Sequence, residues 1–595
     1  MSKLHQQRKK LNAEEVASII LAAASGDEEI HSDDEPGFCD EEHNESGCRD
    51  SDSEISNDSD EEYTFVSESE NGDCTRAEHT VDKKGRQWST KSPHPASFRG
   101  KNIFRFHSGS LLAKSSPKEF FKNFFDETLV RNIASYTNER LEKDVNDSQR
   151  QHGCIDHEVT IDEIYGYMGI LLMLGILKKK DVEIDEIWCE KDDAIHRIPW
   201  VLCTMSRQRF KLLSRYLTFD DIYTRTDRCI DDPKFYKCRE MANCLKKKCL
   251  SSCEPGQHLS VDENLYPFRG RCQFRQYMPS KPNKYGMKVW QLVDSVTRYL
   301  VNFDFYLGKE GNNTAKELGK NVVLRLTKPF RNTSRNVTTD NYFTSTSLAE
   351  ELWENGLTIV GTVKKGRKEV FPQLYPSKDR EEHSTRFYFS DYMTFVSYVP
   401  KRRRVVNVLT TQHHDKRISD IKKKPEVILY YNATMGGSDT IDQIMMANSC
   451  RRTTNRWTLR IFHYLIDVSV CNSFALMKMT HSESELNSLL GTERSQRRTF
   501  IEKLAIELMA PEVEHRFERY RTAKGLSKSL QTCFSKLGHT FALDADESSS
   551  FRTSGRCYLC KDRKSRNKCN NCKRFVCKEH SNCVHICDPA CQSSM

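Results

Sequence analysis

Leu259–Phe268 reads LSVDENLYPF, and two similar runs follow it, GMKVWQLVDS (286–295) and YLVNFDFYLG (299–308). Each run is short, rich in β-branched and aromatic residues, and separated from the next by Arg, Pro or Gly turns. This pattern is typical of β-strands. The sequence therefore predicts that a sheet begins near Leu259.

Strands and helices alternate after this point. A helical segment at about 315–326 precedes NVTTDNYF (336–343) as a strand, TSLAEELWEN (346–355) as a helix and LTIVGTVKK (357–365) as another strand. Strands joined by crossing helices indicate an α/β layer with a covered sheet. Residues 365–424 are irregular and basic, with Lys401–Arg404 beside the β-like piece MTFVSYV, and are predicted to be an insertion into this sheet domain.

Helical patterns flank the sheet on both sides, with apolar residues at three- and four-residue spacing. The segments are FFKNFFDETLVRNIASYT (120–137), TIDEIYGYMGILLMLGIL (160–177), MSRQRFKLLSRYLTFDD (205–221), DTIDQIMMANS (439–449), RWTLRIFHYLIDVSVCNSFALMKM (456–479) and TFIEKLAIELM (499–509). In the third, Arg207, Arg209, Lys211 and Arg215 are consistent with a solvated helix face. The apolar run 164–177 is shorter than the roughly 20 residues that span a bilayer. It predicts a buried helix in a soluble, intracellular protein.

The formal net charge of +8 is unevenly distributed. Residues 27–73 hold 20 Asp or Glu against one Arg, so this segment carries −19 and the rest of the chain +27. It is poor in aliphatic residues and cannot bury enough apolar surface to offset the entropy of ordering. Residues 27 to about 91, within an acidic N-terminal region 1–105, are therefore predicted to be disordered.

Two roles stay open for the acidic segment, a solubilising tail and a mimic of DNA that competes for the basic surface. Four serines precede acidic residues, and their phosphorylation would deepen the negative charge. They are Ser32, Ser51, Ser53 and Ser59.

Four aspartates stand at the ends of predicted elements. Asp262 ends one strand, Asp340 ends another, and Asp439 opens a helix with Asp442 one turn later. Adjacent strand ends of an α/β sheet meet at one edge, and carboxylates are ligands that Mg²⁺ favours. Two such ions neutralise charge during phosphoryl transfer. Each aspartate alone is also explained as a strand end or helix N-cap, so the prediction rests on the set.

Basic residues crowd the segments that follow Asp262 and Asp439. The first cluster is Arg269, Arg271, Arg275, Lys281, Lys284 and Lys288, and the second is Arg451, Arg452 and Arg456. Neutralisation of phosphates by such residues supplies most sequence-independent affinity for nucleic acid. We predict that both clusters contact DNA, the alternative being a solvated face.

A cysteine-rich segment follows a polar linker at 531–555. Its first three pairs have zinc-ligand spacing: Cys557-x₂-Cys560, Cys569-x₂-Cys572 and Cys577-x₂-His580. A disulfide framework is the alternative, but a segment this short in an intracellular protein needs metal for its core. The last pair is open among Cys583, His585, Cys587 and Cys591, with Cys587 and Cys591 preferred, and eight ligands bind two Zn²⁺. The intervening Lys561, Arg563, Lys564, Arg566 and Lys568 are expected to contact phosphates or to form part of a nuclear import signal.

The aspartate-bearing blocks resemble the successive catalytic blocks of piggyBac transposases. The blocks are VDENLYPFRGRCQFRQYMPSKPNKYGMK (261–288), NVTTDNYFTS (336–345), LTIVGTVKK (357–365) and YYNATMGGSDTIDQ (430–443). Their order, spacing and flanking residues agree with that family. The resemblance runs from about Phe120 to the C-terminus.

This resemblance implies an α/β fold with an RNase H-like (DDD) catalytic core at 257–448, interrupted by the insertion at about 365–424. A helical dimerisation and DNA-binding domain is split between 106–256 and 449–530, and a cross-braced two-zinc domain occupies 556–595. It also implies that Asp262, Asp340 and Asp439 bind two Mg²⁺ or Mn²⁺, with Asp442 as an accessory acid. The implied partners are double-stranded DNA and a second copy of the chain, in the nucleus and without a membrane.

The activity implied is cut-and-paste DNA transposition. A metal-activated water nicks the transposon end at its terminal inverted repeat, the freed 3′-hydroxyl attacks the opposite strand to give a hairpin, and the hairpin is reopened before joining at TTAA. Two alternatives stay open. One is a domesticated derivative that binds DNA and regulates genes without cutting, and the other is a zinc-binding protein-interaction module on an inert scaffold.

Overall fold

The computed structural model describes residues 79–93, 116–148, 158–189, 196–279, 281–308, 315–376, 380–521, 526–541, 554–560, 562–568 and 574–580. The acidic segment 27–73, with Ser32, Ser51, Ser53 and Ser59, lies outside these residues. The chain divides into two compact units, Met1–Glu518 and Arg519–Met595. Its fold is a mixed α/β fold.

Helices form the first part of the large unit. They are α1 (Pro117–Phe121), α2 (Glu127–Ser148), α3 (Ile161–Ile176), α4 (Ile184–Ile187), α5 (Pro199–Thr204), α6 (Arg207–Tyr216), α7 (Arg225–Asp231) and α8 (Tyr236–Ser252). α3 begins where the Thr160 hydroxyl accepts the Glu163 N–H at 3.2 Å, the usual N-cap arrangement. Every residue from Glu163 to Ile176 is buried, which confirms the predicted buried helix. Within the described ranges, no helix combines the length and apolarity needed to cross a membrane.

A buried ion pair joins α3 to α6. The Glu163 carboxylate accepts hydrogen bonds from Arg209 Nε at 2.5 Å and Nη2 at 2.7 Å, and the two side chains are only 2% and 6% exposed. Arg207 and Lys211 are exposed, as a solvated face requires, and both lie near Asp185. The predicted solvated face is wrong for Arg209, because that side chain turns inward to the carboxylate of Glu163.

Replacing Glu163 by Ala is expected to lower the free energy of unfolding by about 3–5 kcal/mol, because the substitution leaves the Arg209 guanidinium buried without its counter-charge. Chemical denaturation of the full chain measures this effect. The matched control is Lys211→Ala on α6, the helix of Arg209. It removes an exposed pair with Asp185 of α4 and is expected to leave the free energy of unfolding almost unchanged. Equal losses from the two variants would contradict the assignment.

One sheet contains every strand that the structure describes in the large unit. They are β1 (His79–Val81), β2 (Gln87–Ser89), β3 (His258–Pro267), β4 (Arg275–Tyr277), β5 (Tyr285–Asp294), β6 (Leu300–Phe305), β7 (Asn336–Thr339), β8 (Thr358–Thr362), β9 (Thr385–Ser390), β10 (Met393–Lys401) and β11 (Arg404–Thr410). Their order is β1-β2-β9-β10-β11-β8-β7-β3-β5-β4, and β6 also pairs with β5. The sheet predicted to begin near Leu259 is confirmed.

The middle of this sheet combines two kinds of pairing. β5 runs antiparallel to both β3 and β6, whereas β7 runs parallel to β3 and β8 runs parallel to β7. Parallel neighbours need crossover connections, and helices α9 (Ala315–Thr327) and α10 (Thr346–Glu354) precede β7 and β8. Short 3₁₀ turns occupy Lys328–Phe330 and Pro372–Leu374. β7 therefore ends beside the middle of β3, where Thr339 pairs with Val261.

Residues 365–424, predicted to be an insertion, continue the same sheet. β9, β10 and β11 pair antiparallel in that order, and β11 joins β8 with Leu409 opposite Gly361. Their inner face forms an apolar cluster with Val360, Val427 and Ile428. The inserted strands thus share their core with the central strands.

A short hairpin extends the far side of the sheet, within the region predicted to be disordered. β1 and β2 pair antiparallel, and β2 pairs with β9. Trp88 is fully buried, with its ring centroid 6.0 Å from that of Phe371 and 5.0 Å from that of Phe395, and its Nε1 donates to Asp82 at 3.1 Å. The prediction of disorder is therefore wrong for residues 79–93. One buried tryptophan and a strand ladder offset the cost of ordering them.

The remaining described helices of the large unit follow the sheet. They are α11 (Glu426–Met435), α12 (Gly437–Ala447), α13 (Trp457–Thr480), α14 (Glu483–Leu490) and α15 (Glu493–Arg521). α11 and α12 pack on the sheet, and α13 and α15 pack against the first group of helices. Phe462 of α13 lies against Phe125 and Phe219, with centroid distances of 5.8 and 4.9 Å. Gly169 of α3 approaches α15 so closely that an added Cβ would be 2.7 Å from the Ala505 oxygen. Helices from before and after the sheet thus share one core.

Candidate functional site

Asp262 and Asp340 lie beside each other where β7 ends. Val261 of β3 is the register partner of Thr339 of β7, so Asp262 and Asp340 each stand one residue beyond this pair. The Tyr342 N–H donates to Asp340 Oδ1 at 2.9 Å, which fixes the turn after β7. The structure thus brings these two aspartates together. The predicted strand end is correct for Asp340 but wrong for Asp262, which lies in the middle of β3 opposite Gln291 of β5, because β3 continues to Pro267.

Helix α12 carries the other two aspartates against β3. A Cβ added at Gly437 would lie 2.4 Å from the Ser260 hydroxyl, so only glycine lets the helix start this close to the strand. Asp439 lies in the exposed first turn, and Asp442 is partly buried one turn later. Asn264 of β3 donates a hydrogen bond to Asp442 Oδ1. The four predicted aspartates therefore lie in or directly after three elements, β3, β7 and α12, at one edge of the sheet.

Burial and crowding of negative charge raise the pKa values at this edge. Burial, followed by the charges of Glu263 and Asp340, raises the pKa of Asp262 well above its usual range. Burial and Glu263 raise the pKa of Asp340 to about 6. Burial also raises the pKa of Asp442 to about 7. Each of these carboxylates would gain from a nearby cation.

The donor chemistry of this edge fits Mg²⁺ or Mn²⁺. Asp262, Asp340 and Asp439 offer carboxylate oxygens, the donors that these hard cations take. Ordinary soft ligands such as thiolates would instead favour zinc. The residues present therefore fit the metal that the sequence predicts for this edge.

Three further side chains lie close to these acids. Lys281 Nζ donates to the Glu263 carbonyl oxygen at 3.2 Å. Lys288 Nζ lies 4.0 Å from the centroid of the Trp290 ring, and its charge lowers the pKa of Asp340 against the larger effect of burial. Burial raises the pKa of Tyr431 to about 12, and the negative charges of three of the aspartates add to this rise. They are Asp340, Asp262 and Asp439.

Sequence reasoning missed Glu263 and Tyr431 and assigned Lys281 and Lys288 to DNA alone. Glu263 directly follows Asp262 in the sequence, and this neighbourhood could have indicated that Glu263 belongs to the site. Strand alternation argued against it, because neighbouring side chains on a strand point to opposite faces. The charge of Glu263 nevertheless reaches both Asp262 and Asp340.

The raised pKa of Asp442 predicts a pH-dependent stability in the absence of added divalent metal. The folded chain binds this proton more tightly than the unfolded chain, so the stabilisation is present below about pH 4 and is lost as the pH rises through about 7. Asp442→Asn is expected to reduce the fall in unfolding free energy between pH 5 and 8 by about 2–4 kcal/mol. Urea denaturation at several pH values measures this change, with Asp420→Asn on an exposed loop as the control. An unaltered pH profile in Asp442→Asn would contradict the prediction.

Comparison with known proteins places this geometry in a family. A family model described as Transposase IS4 matches residues 116–474, more than half of the chain. The structure also resembles a piggyBac transposase solved by cryo-electron microscopy as a synaptic complex with hairpin DNA. That chain is 31% identical, with a TM-score of 0.66, and the match covers 84% of this chain and 99% of the other. This chain belongs to the piggyBac family of transposases.

Two human proteins of the piggyBac group are also similar to it. PiggyBac transposable element-derived protein 3 of Homo sapiens is 22% identical over 396 residues, which is 63% of this chain and 63% of that protein. PiggyBac transposable element-derived protein 2 is 22% identical over 422 residues, 68% of this chain and 66% of that protein. The match thus spans just under two thirds of the length of each of these relatives.

The small unit of this piggyBac-family chain contains a four-ligand cluster. The ligand atoms of Cys557, Cys560, Cys577 and His580 all lie within 4.8 Å of one another. Cys577 Sγ is 3.9 Å from Cys560 Sγ and 3.2 Å from His580 Nδ1. Tetrahedral zinc with Zn–S bonds of about 2.3 Å requires Sγ–Sγ separations of about 3.8 Å. Although burial raises the pKa of Cys557, backbone N–H groups of Cys560 and Cys577 lower it to about 6, so the geometry and the thiolate both fit Zn²⁺.

The first and third predicted ligand pairs share this cluster, as a cross-braced domain requires. Among the described residues it is the only group of three or more His, Cys, Asp or Glu with ligand atoms this close, so the carboxylates at the sheet edge are more widely spaced. Strands β12 (Gly555–Arg556) and β13 (Lys564–Ser565), helix α16 (Lys528–Lys536) and a 3₁₀ turn at Lys578–His580 complete the small unit. The other predicted ligands and one loop lysine lie outside the described residues, and they are Cys569, Cys572, Cys583, His585, Cys587, Cys591 and Lys561.

The first basic cluster divides into two groups. Four of its side chains are exposed, namely Arg269, Arg271, Arg275 and Lys284. Lys281 and Lys288 are partly buried beside the carboxylates. The exposed group therefore presents positive charge to solvent, and Arg275 also donates to the carbonyl oxygens of Arg269 and Gly270. The other two lysines act on the acids.

Two arginines of the second basic cluster donate hydrogen bonds to carbonyl oxygens of the protein itself. Arg456 Nη1 donates to the carbonyl oxygens of Ser214 and Arg215 at the end of α6, at 2.6 and 2.8 Å. Arg452 donates to two carbonyl oxygens that follow α3, at 3.0 and 2.6 Å. Carbonyl groups at helix ends need such donors. The structure thus gives Arg452 and Arg456 hydrogen bonds within the protein, and all three arginines of this cluster are partly buried. Their predicted contact with DNA stays a prediction.

Proposed function

We propose that this piggyBac-family chain is a cut-and-paste DNA transposase with an RNase H-like catalytic core. The single observation that carries the proposal is the register of β3 and β7, which puts Asp262 beside Asp340, with α12 adding Asp439 and Asp442. The strand order β6-β5-β3-β7-β8, with β7 and β8 parallel to β3, supports the RNase H-like assignment. The proposed active site is therefore the acidic edge of the sheet.

Asp262, Asp340 and Asp439 are the residues proposed to hold two Mg²⁺, with Mn²⁺ as a substitute. When bound, these ions supply charge neutralisation at the attacking and leaving oxygens of phosphoryl transfer. Asn264 orients the Asp442 carboxylate through its hydrogen bond. Lys288, held over Trp290, keeps a positive charge beside Asp340, where a phosphate would be attracted. No covalent intermediate with the protein is required.

The proposed substrate is double-stranded DNA, both at transposon ends and at a TTAA target. Arg269, Arg271, Arg275 and Lys284 supply exposed positive charge within 25 residues of Asp262 in the sequence, and the related transposase was solved with hairpin DNA. That likeness supports excision through hairpin ends. Holding two ends together requires at least a homodimer. The nucleus is the proposed site of action, because chromosomal DNA is the proposed target. The cysteine-rich unit, with two zinc ions, is the proposed reader of the terminal repeats.

A second candidate function is favoured by the names of the human relatives, both of which are described as derived from transposable elements. A domesticated chain would bind DNA and regulate genes without cutting. It would keep the fold and the basic surface. The acidic edge would then have no catalytic use.

An excision assay separates the two functions. The purified full chain is incubated with Mg²⁺ and a donor DNA carrying the element's own ends. The proposal predicts double-strand breaks at both ends and transient hairpins on the excised fragment. Tight binding of the ends without any break would instead support the regulatory function.

A further inference from the structure

Alternate residues of β3 contact α12 and the segment that follows it. A Cβ added at the first residue of α12 would touch the Ser260 hydroxyl, and Asn264 donates a hydrogen bond to Asp442. Asp262 and Tyr266 belong to the same face of β3, because residues two apart on a strand point to the same side. The position of α12 along this face therefore decides how its acids stand relative to Asp262.

A buried carboxylate of α13 joins β3 to the chain that leaves α12. Asp467 is 3% exposed, and its Oδ2 accepts the Tyr266 hydroxyl at 2.7 Å and the Ser449 hydroxyl at 2.5 Å. Its Oδ1 accepts the Cys450 N–H at 2.9 Å. Hydrogen bonds to an ionised acceptor are stronger than those between neutral groups. One side chain thus ties together β3, α13 and the two residues that follow the end of α12 most closely after Asn448.

The two ends of α12 are held differently. Among the described residues, no side chain caps the start of this helix at Gly436. At the other end, Lys178 donates to the Ala447 carbonyl oxygen and to Asn448 Oδ1, the latter at 3.3 Å. The last carbonyl groups of a helix need donors of this kind. Side chains therefore fix the C-terminal end of α12, and the contacts of Asp467 begin one residue beyond it, at Ser449.

We propose that Asp467 is a positioning residue of the acidic edge, which holds α12 in register along β3 so that Asp439 and Asp442 stay beside Asp262. This inference rests on the proposed function, because it requires that these acids bind metal. The oxygens of Asp467 already accept three hydrogen bonds within the protein. Asp467 therefore acts on the metal site only through the placement of α12.

Binding of Mn²⁺ to the full chain without DNA, measured by electron paramagnetic resonance well below the unfolding temperature, tests the inference. Tyr266→Phe removes one hydroxyl that binds Asp467 and is expected to weaken Mn²⁺ binding by about tenfold. Asp467→Ala removes all three hydrogen bonds and is expected to weaken it by about a hundredfold, since small misplacements of reacting groups have effects of this size. Affinity for transposon ends is expected to stay within about twofold, because phosphate contacts come from basic residues.

Two control variants lower stability without touching this network. Ser469→Ala lies two residues further along α13, and the Ser469 hydroxyl is buried and donates to the Leu465 carbonyl oxygen of the same helix at 2.7 Å. Glu163→Ala breaks the buried pair between α3 and α6. Both variants are expected to leave Mn²⁺ affinity unchanged. A purely structural role for Asp467 would give the same result in Tyr266→Phe.

The outcomes separate the inference from the function on which it rests. Unchanged Mn²⁺ affinity in Tyr266→Phe, while Asp439→Asn weakens binding, overturns the positioning role alone. Equal weakening in Ser469→Ala and Tyr266→Phe also overturns it, since general destabilisation would then explain the effect. Mn²⁺ binding that is insensitive to Asp439→Asn overturns both. If Asp467→Ala does not fold, Tyr266→Phe decides, because phenylalanine keeps the volume of the ring.

Discussion

Asp262→Asn and Asp340→Asn each reduce Mg²⁺-dependent strand cleavage by at least about a thousandfold, if these carboxylates hold the metal ions that stabilise the transition state. An amide keeps the size of the side chain but removes the negative charge that binds the cation. Binding of transposon ends is expected to change by less than about threefold, because phosphate contacts come from basic residues. Gel-based cleavage and equilibrium binding, measured on the same DNA, report the two quantities.

Asp420→Asn provides the control for that experiment. Asp420 is exposed on the loop that precedes α11 and lies outside the acidic edge. The substitution therefore removes a carboxylate without altering the proposed active site, and cleavage is expected to stay at the level of the unaltered chain. A comparable loss of cleavage in Asp420→Asn, or a loss of DNA binding in Asp340→Asn, would contradict the assignment.

Cys577→Ser is expected to have the second largest effect, a loss of at least about a hundredfold in affinity for transposon ends. The described residues of the small unit bury few apolar side chains, so the free energy of zinc binding is expected to contribute directly to its folding. Serine keeps the shape of cysteine but does not supply a thiolate. Zinc content by atomic emission and end binding by fluorescence anisotropy measure the outcome, and one bound Zn²⁺ per chain is expected to be lost.

Cys229→Ser controls for the loss of a thiol. Cys229 lies in α7 of the large unit, is not one of the predicted zinc ligands, and is only partly buried. Its replacement is expected to leave both zinc content and end binding unchanged. Full zinc content in Cys577→Ser would show that Cys577 is not a ligand. Normal end binding after zinc loss would show that another surface reads the repeats.

Much of the site follows from the sequence because it depends on local pattern and on one topological rule. Asp340 ends a β-rich run, and the parallel pairing of β7 with β3 puts it beside Asp262, which the sequence also places in a β-rich run. The cysteine spacing likewise predicts that Cys557 and Cys560 share a ligand cluster, since two thiolates three residues apart reach the same metal. Neither inference needs long-range packing.

Other features depend on packing that no local pattern reveals. Arg209 and Arg456 both look like solvent-facing charges in the sequence, yet one pairs with Glu163 and the other bonds to carbonyls at the end of α6. Trp88 is a single apolar residue in a polar segment, and its burial depends on Phe371 and Phe395, which lie almost 300 residues later. Long-range partners of this kind decide whether a charge or an aromatic ring is buried. Composition averaged over a segment does not contain them.

The central claim is that the carboxylates at the sheet edge bind the metal ions at which DNA is cut. Replacing Asp340 by Cys tests it most directly, because a soft thiolate binds Mn²⁺ better than it binds Mg²⁺. Strand cleavage by Asp340→Cys is measured in Mg²⁺ and in Mn²⁺ on the same transposon-end DNA. We expect no cleavage in Mg²⁺ and measurable cleavage in Mn²⁺. Cleavage in Mg²⁺ at the rate of the unaltered chain would contradict the claim, because Asp340 would then not be a metal ligand.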